Sequence, residues 1–535
     1  RAPCRLILKS RSPDSSLMHI NKLRFAFLVV VIQLLSAFTT AQTAADAPLP
    51  GPGKPVERDL RGGEVHTYAV QLTPGQFLEV IVDQRGIDVV VTLFAPDGKQ
   101  LLEVDSPNGM RGPEPVAFIA RDSGHHKVQV RSLEKGAAAA RYEIRIEALR
   151  VATAEDVKAD RTRQLAAMLA TARTEDEGVA LLAKEPDLIT ADLWKQVNER
   201  GRSQNGERAT ITFRIGLRIA EQAGHKLGIA TSLNNIGATY HRRNDLKPAL
   251  EYFQKSLPLA EEIGEKRLVA TLLDNLGDLY RQQGNFAEAV RHFKKELALR
   301  EQLGSKPEIV TALLKLGNAH RFSANPSQAL ESFHRALSIS EGLPNKTPLA
   351  QTFLNLGLFH RIQSNYAESL DYYMKELKLR EELGAKPAVA NVLVNIGIVF
   401  RLQGDYSRAL EYYEKALKLS EELDAKRGIA DALSSIGELQ RLQGNYARAL
   451  EYHRRSLALS EELKNKGGMA RELHRIGIVY NRQGNSDLAM EYFQKDLQLY
   501  TEIGLKGLIA DSLNSIGAVY SNNKNYAAAL EYYQK

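Results

Sequence analysis

Cysteine is almost missing from this chain. The only one, Cys4, lies in a leading segment, so the folded part has no disulfide, no thiolate metal site and no cysteine nucleophile. Net charge is also scarce once its location is considered. Of the formal +7, residues 1–17 carry +3 and residues 18–41 carry +2, which leaves +2 for all that follows. That remainder gives no electrostatic footprint for nucleic acid. Long apolar runs are absent too. Phe25 to Phe38, interrupted by Gln33 and Ser36, falls short of the about 20 residues that a helical membrane span needs. The sequence has no P-loop, no zinc-ligand cluster and no nucleophile elbow. No cofactor, no metal site and no catalytic constellation is therefore expected within the chain.

What is present starts with a sorting signal. Met18-His-Ile-Asn-Lys-Leu-Arg24 is short and basic, Phe25 to Phe38 is apolar, and Thr39-Thr-Ala41 offers small residues for cleavage. Residues 18–41 read as a signal peptide, and residues 1–17 as unstructured upstream translation. Export to the periplasm or outside the cell is expected, with no stable membrane span after cleavage; the alternative is an uncleaved membrane anchor. Residues 42–55, rich in Ala, Pro and Gly, read as a linker.

Residues 56–149 alternate with a period of two. Phe77–Asp83, Val89–Phe94, Val116–Ala120, Lys127–Arg131 and Tyr142–Ile146 are strand-like. The turn signals Thr73-Pro-Gly75, Pro96-Asp-Gly98, Pro107-Asn-Gly109 and Asp122-Ser-Gly124 separate them. Short strands at this spacing predict an all-β sandwich. Tyr68–Gly75, Val91–Gly98 and Ser123–Val130 resemble the bacterial pre-peptidase C-terminal type of sandwich, which implies an accessory module with no catalytic residue. His66, His125 and His126 lie near loops, and the neighbouring Asp83, Asp88 and Asp105 lack the spacing of a calcium loop. Residues 150–183 turn helical, with Leu165, Leu169, Leu181 and Leu182 as apolar positions, and read as a connector.

The dominant feature is a repeat. Gly237, Gly277, Gly317, Gly357, Gly397, Gly437, Gly477 and Gly517 are spaced by 40 residues, each after Ile or Leu. A large apolar residue stands four before each Gly, and Tyr240, Tyr280, Phe400, Tyr480 and Tyr520 recur three after it. A small residue (Ala249 to Ala529, with Ser369) follows. Four further on stands an aromatic, Phe253, Phe293, Phe333, Tyr373, Tyr413, Phe493 or Tyr533, with His453 the exception. The order is similar to the tetratricopeptide-repeat signature. The resemblance implies a mainly α fold: a solenoid of about eight to nine helical hairpins in residues 227–535, with a degenerate repeat over 184–226 in which Val197 replaces the Gly. Glycine and alanine admit close approach of the two helices, A and B, and the aromatics fill the space between hairpins. The unit exceeds the family's about 34 residues, and the extra turn is expected in helix B. The last unit stops in mid-helix at Lys535, so a further domain is expected beyond it.

In this family helix A lines the concave face, so polar recurrences there are the candidate site. Asn235, Asn275, Asn355 and Asn395 share one position, and Arg281, Arg321, Arg361, Arg401 and Arg441 another. Asn amides can clamp an extended backbone, and an Arg ladder favours carboxylates. A protein or peptide ligand, acidic or presenting its C-terminus, is expected along this groove. The alternative for both ladders is that the side chains are solvated or bond between neighbouring helices. Arg471 and Arg475 match two basic sites of the family's dicarboxylate clamp, but Ser435 stands where Asn is needed. The module order resembles proteins ending in a CHAT domain, a caspase-like peptidase. Its His/Cys pair is not in this chain.

Overall fold

The computed structural model describes residues 47–105, 111–134 and 136–535. The signal segment 18–41, the leading residues 1–17 and the Pro107-Asn-Gly109 turn lie outside the described residues. The chain divides into a unit up to Leu165 and a helical unit from Ala166 onward.

The first unit holds β1 (Ala47–Pro48), β2 (Val56–Leu60), β3 (Val65–Leu72), β4 (Gln76–Arg85), β5 (Val89–Phe94), β6 (Gln100–Val104), β7 (Arg111–Ile119), β8 (Gly124–Ser132) and β9 (Ala140–Val151). One sheet has the order β1-β3-β8-β5-β6 and the other β2-β9-β4-β7. Alternation puts Tyr68, Val91, Val128 and Val130 of one sheet against Leu78, Val80, Val82 and Ile144 of the other in one apolar core. All five expected strands are present. Residues 47–48, expected in a linker, instead form β1, parallel to β3. The pairing is possible because Ala47 and Pro48 need only lie along an open sheet edge. β2 escaped the hydrophobic pattern because Glu57, Arg58 and Asp59 face solvent. It is held on β9, with Glu57 accepting from Arg85 at 2.6 Å.

α1 (Ala154–Thr171) runs through the division at Leu165, and α2 (Glu175–Leu182) and a short 3-10 turn follow. Hairpins follow: α3 (Ala191–Arg202) with α4 (Gly206–Gln222), α5 (Lys226–Arg242) with α6 (Leu246–Glu262), α7 (Lys266–Gln282) with α8 (Phe286–Leu303), α9 (Lys306–Phe322) with α10 (Pro326–Glu341), α11 (Thr347–Ile362) with α12 (Tyr366–Glu382), α13 (Lys386–Leu402) with α14 (Tyr406–Glu422), α15 (Lys426–Leu442) with α16 (Tyr446–Glu462), α17 (Lys466–Arg482) with α18 (Ser486–Ile503), and α19 (Lys506–Asn522) with α20 (Tyr526–Gln534). The extra length is not confined to helix B: α13 and α14, like most pairs, are 17 residues each. Both helices lengthen together because a longer B alone would have no A surface to cover.

The repeat glycines lie at the closest approach of each hairpin. A Cβ built on Gly277, Gly317 or Gly397 would stand 2.5 Å from the ring of Phe293, Phe333 or Tyr413, and the other five meet their own plugs at 2.6 to 2.8 Å. In the degenerate hairpin the notch is Gly201, not the expected position 197. Its Cβ would meet Phe213 at 2.6 Å, while Val197 is buried beside it. A shift of one helical turn keeps the same face toward the ring. Tyr412, Tyr492 and Tyr532 stack on Phe400, Tyr480 and Tyr520 with centroids 5.4 to 5.5 Å apart. The paired tyrosines of helix B thus serve as shoulder and plug.

Successive hairpins are joined by tight turns. Leu383-Gly384-Ala385 links α12 to α13, with Gly384 at φ +65° and Pro387 in the first turn of the next helix. The A–B turn ends on Asn or Asp, and Asn285, Asp405, Asn485 and Asn525 cap helix B by accepting the N–H three residues on.

Candidate peptide-binding groove

Curvature decides which helices can meet a ligand. Six of the eight successive pairs of A helices, α3–α5, α5–α7, α9–α11, α13–α15, α15–α17 and α17–α19, come into contact, and no two successive B helices from α4 to α20 do so comparably. The A helices therefore lie on the inside of the bend, and B helices on the outside. Asn244 Nδ2 donates to the carbonyl of Ile503 at 3.0 Å, so the array curls until the turn of its first full repeat meets that of its seventh.

The two ladders have different fates. Asn235 Nδ2 donates to Asn198 at 2.8 Å, and Asn275 Nδ2 donates to Asn234 at 3.0 Å. Asn355 accepts from Asn318 at 2.7 Å and donates to the carbonyl of Gln351 at 2.8 Å. Three of the four amides thus tie one A helix to its neighbour or to its own backbone. Asn395 is half-buried and makes no such bond among the described residues. Repeat 3 places Lys315 in this slot, where it pairs with Asp274 and, at 2.8 Å, with Asp278. Neither carboxylate was singled out in the sequence, because each stands in only one repeat.

The arginines line the groove one turn further on. At the two ends of their run the guanidinium has an acid three residues before it. Arg281 meets Asp278 at 3.2 Å and Arg441 holds Glu438 with two bonds of 2.8 Å. In the middle that position is Asn318, Leu358 or Ile398. Arg321, Arg361 and Arg401 accordingly have no ion pair with any described residue. Burial, with Arg361 close by, lowers the pKa of Arg321 from its ordinary value, and its Nε is buried without a partner. Its guanidinium lies 4.2 Å from the Phe322 ring. Three cations without an ion pair therefore stand in successive hairpins, with Arg321 donating to Asn318 at 3.4 Å and Arg401 near enough to Glu438 to help lower its pKa.

Arg471 and Arg475 are differently placed. Arg471 pairs with Asp431 at 2.8 Å, and Arg475 donates to the Ser434 carbonyl at 3.1 Å. Both are held by neighbouring hairpins. The Glu411–Lys415 and Glu491–Lys495 pairs stand exposed on the outer helices at 2.6 and 2.5 Å, and pairs of that kind contribute little. In the β unit, His66 Nδ1 meets the Tyr142 hydroxyl at 2.8 Å, and no group of three possible metal ligands occurs among the described residues.

The sequence profile of the tetratricopeptide repeat matches residues 202–262, 268–342, 348–422, 428–502 and 468–535. The chain belongs to the tetratricopeptide-repeat family. Its array is a protein-interaction scaffold. No curated protein sequence matches the chain. Among solved structures it is similar to aspartyl phosphate phosphatase F from Bacillus subtilis, at 15% identity over 72% of this chain and 94% of that one, with a TM-score of 0.45. It is similar to a Rap protein complexed with competence and sporulation factor, at 17% identity over 71% and 95%, TM-score 0.43. A signal transduction ATPase with a tetratricopeptide-repeat sensor from Pyrococcus horikoshii shows 15% identity over 64% and 52%, TM-score 0.42.

Proposed function

We propose that the tetratricopeptide array binds an acidic segment of a partner protein along its inner face. The observation that carries this reading is the run of three arginines, Arg321, Arg361 and Arg401, that form no ion pair, between two that form one. A buried or half-buried cation left unpaired is costly, and a ligand carboxylate at each rung removes that cost. Guanidinium–carboxylate bonds are charge-assisted and directional, so they set the register of a bound chain. The asparagines act as struts that hold adjacent A helices at fixed spacing, with Asn395 the one amide free to meet a ligand backbone. The signal-like segment 18–41 supports a place for this partner outside the cytoplasm.

The expected result of Arg361→Glu with Arg401→Glu is a loss of roughly a hundredfold or more in affinity for an acidic peptide, since two charged hydrogen bonds worth about 1.5–3 kcal/mol each are removed. Fluorescence anisotropy with a labelled peptide of alternating glutamate and serine measures it. Unchanged affinity would remove the groove from the account. A second expectation is that wild-type binding weakens steeply with added salt, because the rungs are open to screening.

A further inference from the structure

The rungs do not stand on a polar floor. In α11, Leu354, Leu358 and Ile362 follow one another at i, i+4 and i+8, and in α13 Val394, Ile398 and Leu402 do the same. Residues at this spacing lie on one face of a helix. The first two of each column are half-buried, and the last is open, Ile362 at 48% and Leu402 at 43% exposed. Phe322 and Leu442 continue the open ends into the hairpins on either side, at 47% and 38%. Beyond them the same register turns polar, with Gln282 and Arg242 toward one end and Arg482 and Asn522 toward the other. The apolar stretch therefore covers four hairpins and stops, and it coincides with the unpaired arginines. Single exposed apolar residues are ordinary, but a contiguous set in register is a binding feature.

We infer that the partner segment is amphipathic: an extended chain that sets acidic side chains on Arg321, Arg361 and Arg401 and apolar side chains on the two columns between Leu354 and Leu402. This rests on the groove reading above and narrows it to a sequence class. Charge complementarity selects the acidic half of the pattern, since the acids at Asp274, Asp278 and Glu438 are already bonded to Lys315, Arg281 and Arg441. The apolar half follows from the open ends Phe322, Ile362, Leu402 and Leu442, which a polyanion without apolar groups would leave wet, while Leu354, Val394 and Ile398 below them pack against the core. Helices pack about 8–10 Å apart and an extended chain advances about 3.3 Å per residue. One acidic residue about every third position therefore keeps pace with the rungs, with apolar residues between.

The test compares two short synthetic peptides of equal charge on the full chain, both with glutamate at every third position, one with leucine and one with serine between. The leucine peptide is expected to bind wild type about tenfold tighter, the effect of about 1.4 kcal/mol of added apolar burial. Ile362→Ser with Leu402→Ser should bring the two peptides to within about twofold by weakening the leucine peptide. Both positions are open to solvent, and an unaltered thermal melt confirms that the variant folds. Equal binding of the two peptides by wild type, or an undiminished preference in the variant, overturns the amphipathic reading. In that case the acidic groove still stands if Arg361→Glu with Arg401→Glu releases the serine peptide. If wild type binds neither peptide, both readings fall.

Discussion

Phe333→Ala should cost about 3–5 kcal/mol of unfolding free energy, the range for emptying a large buried aromatic site. Phe333 is fully buried, its ring lies against the bare Cα of Gly317, and it meets Phe359 of the next hairpin edge-on at 5.9 Å. The void cannot collapse easily, because the glycine has no side chain to move in and the neighbouring ring is held by its own hairpin. A repeat array couples each unit only to its neighbours, so the damage should be local. Limited proteolysis should cut first between α9 and α12, and equilibrium urea unfolding should register the loss. Leu402→Ala serves as the comparison: it removes a side chain that is 43% exposed and should stay within about 0.5 kcal/mol of wild type. A cost at Phe333 no larger than that would mean that the hairpins do not rest on these plugs.

That expectation could be written from the sequence, and the reason is periodic. A unit repeated eight times at fixed spacing shows its packing positions by recurrence, so the sequence alone marks Gly317 and Phe333. Where recurrence fails, the sequence is silent about the consequence. Val197 took the glycine position in the degenerate repeat, and only geometry shows that Gly201, one turn on, receives the ring of Phe213. The groove was half legible. Its residue positions followed from the family register. The division of labour between the ladders did not, because it depends on what stands three or forty residues away. Asn355 is a strut because Asn318 reaches it. Arg361 is unpaired because position 358 is leucine, where the end repeats have acids. β1 and β2 were missed for a different reason: both are edge strands whose pairing is backbone to backbone, with little apolar pattern to betray it.

Glu472→Ala should be the most damaging change in the last three hairpins, and His453→Phe should largely undo it. His453 is the one plug that is not aromatic carbocycle, and Glu472 stands where the other repeats have Ser, Leu, Ala, Thr or Val. The two departures meet: His453 Nδ1 lies 2.9 Å from Glu472 Oε2, both side chains fully buried. Ser434 and Arg471 also donate to this carboxylate, and Arg475 lies 4.0 Å away. Removing the carboxylate alone leaves a buried imidazole and two guanidiniums without it, which costs about 3–5 kcal/mol for a broken buried pair. His453→Phe together with Glu472→Ala instead rebuilds the pairing of Tyr413 with Ala432 one repeat earlier, and buried ion pairs exchanged for well-packed apolar groups are often neutral or better. A double-mutant cycle in urea measures the coupling, and additive single effects would sink the idea that the two residues act as one unit. Acid gives an independent readout. Burial opposes ionisation of Glu472, but the His453 hydrogen bond and the Arg475 charge outweigh it and hold the carboxyl below its ordinary 4.5. A depressed carboxyl contributes stability above its unfolded value and loses it as pH falls through the folded one. Wild type should therefore lose stability below about pH 4.5 more steeply than the double variant, and parallel acid profiles would show that Glu472 does not carry that sensitivity.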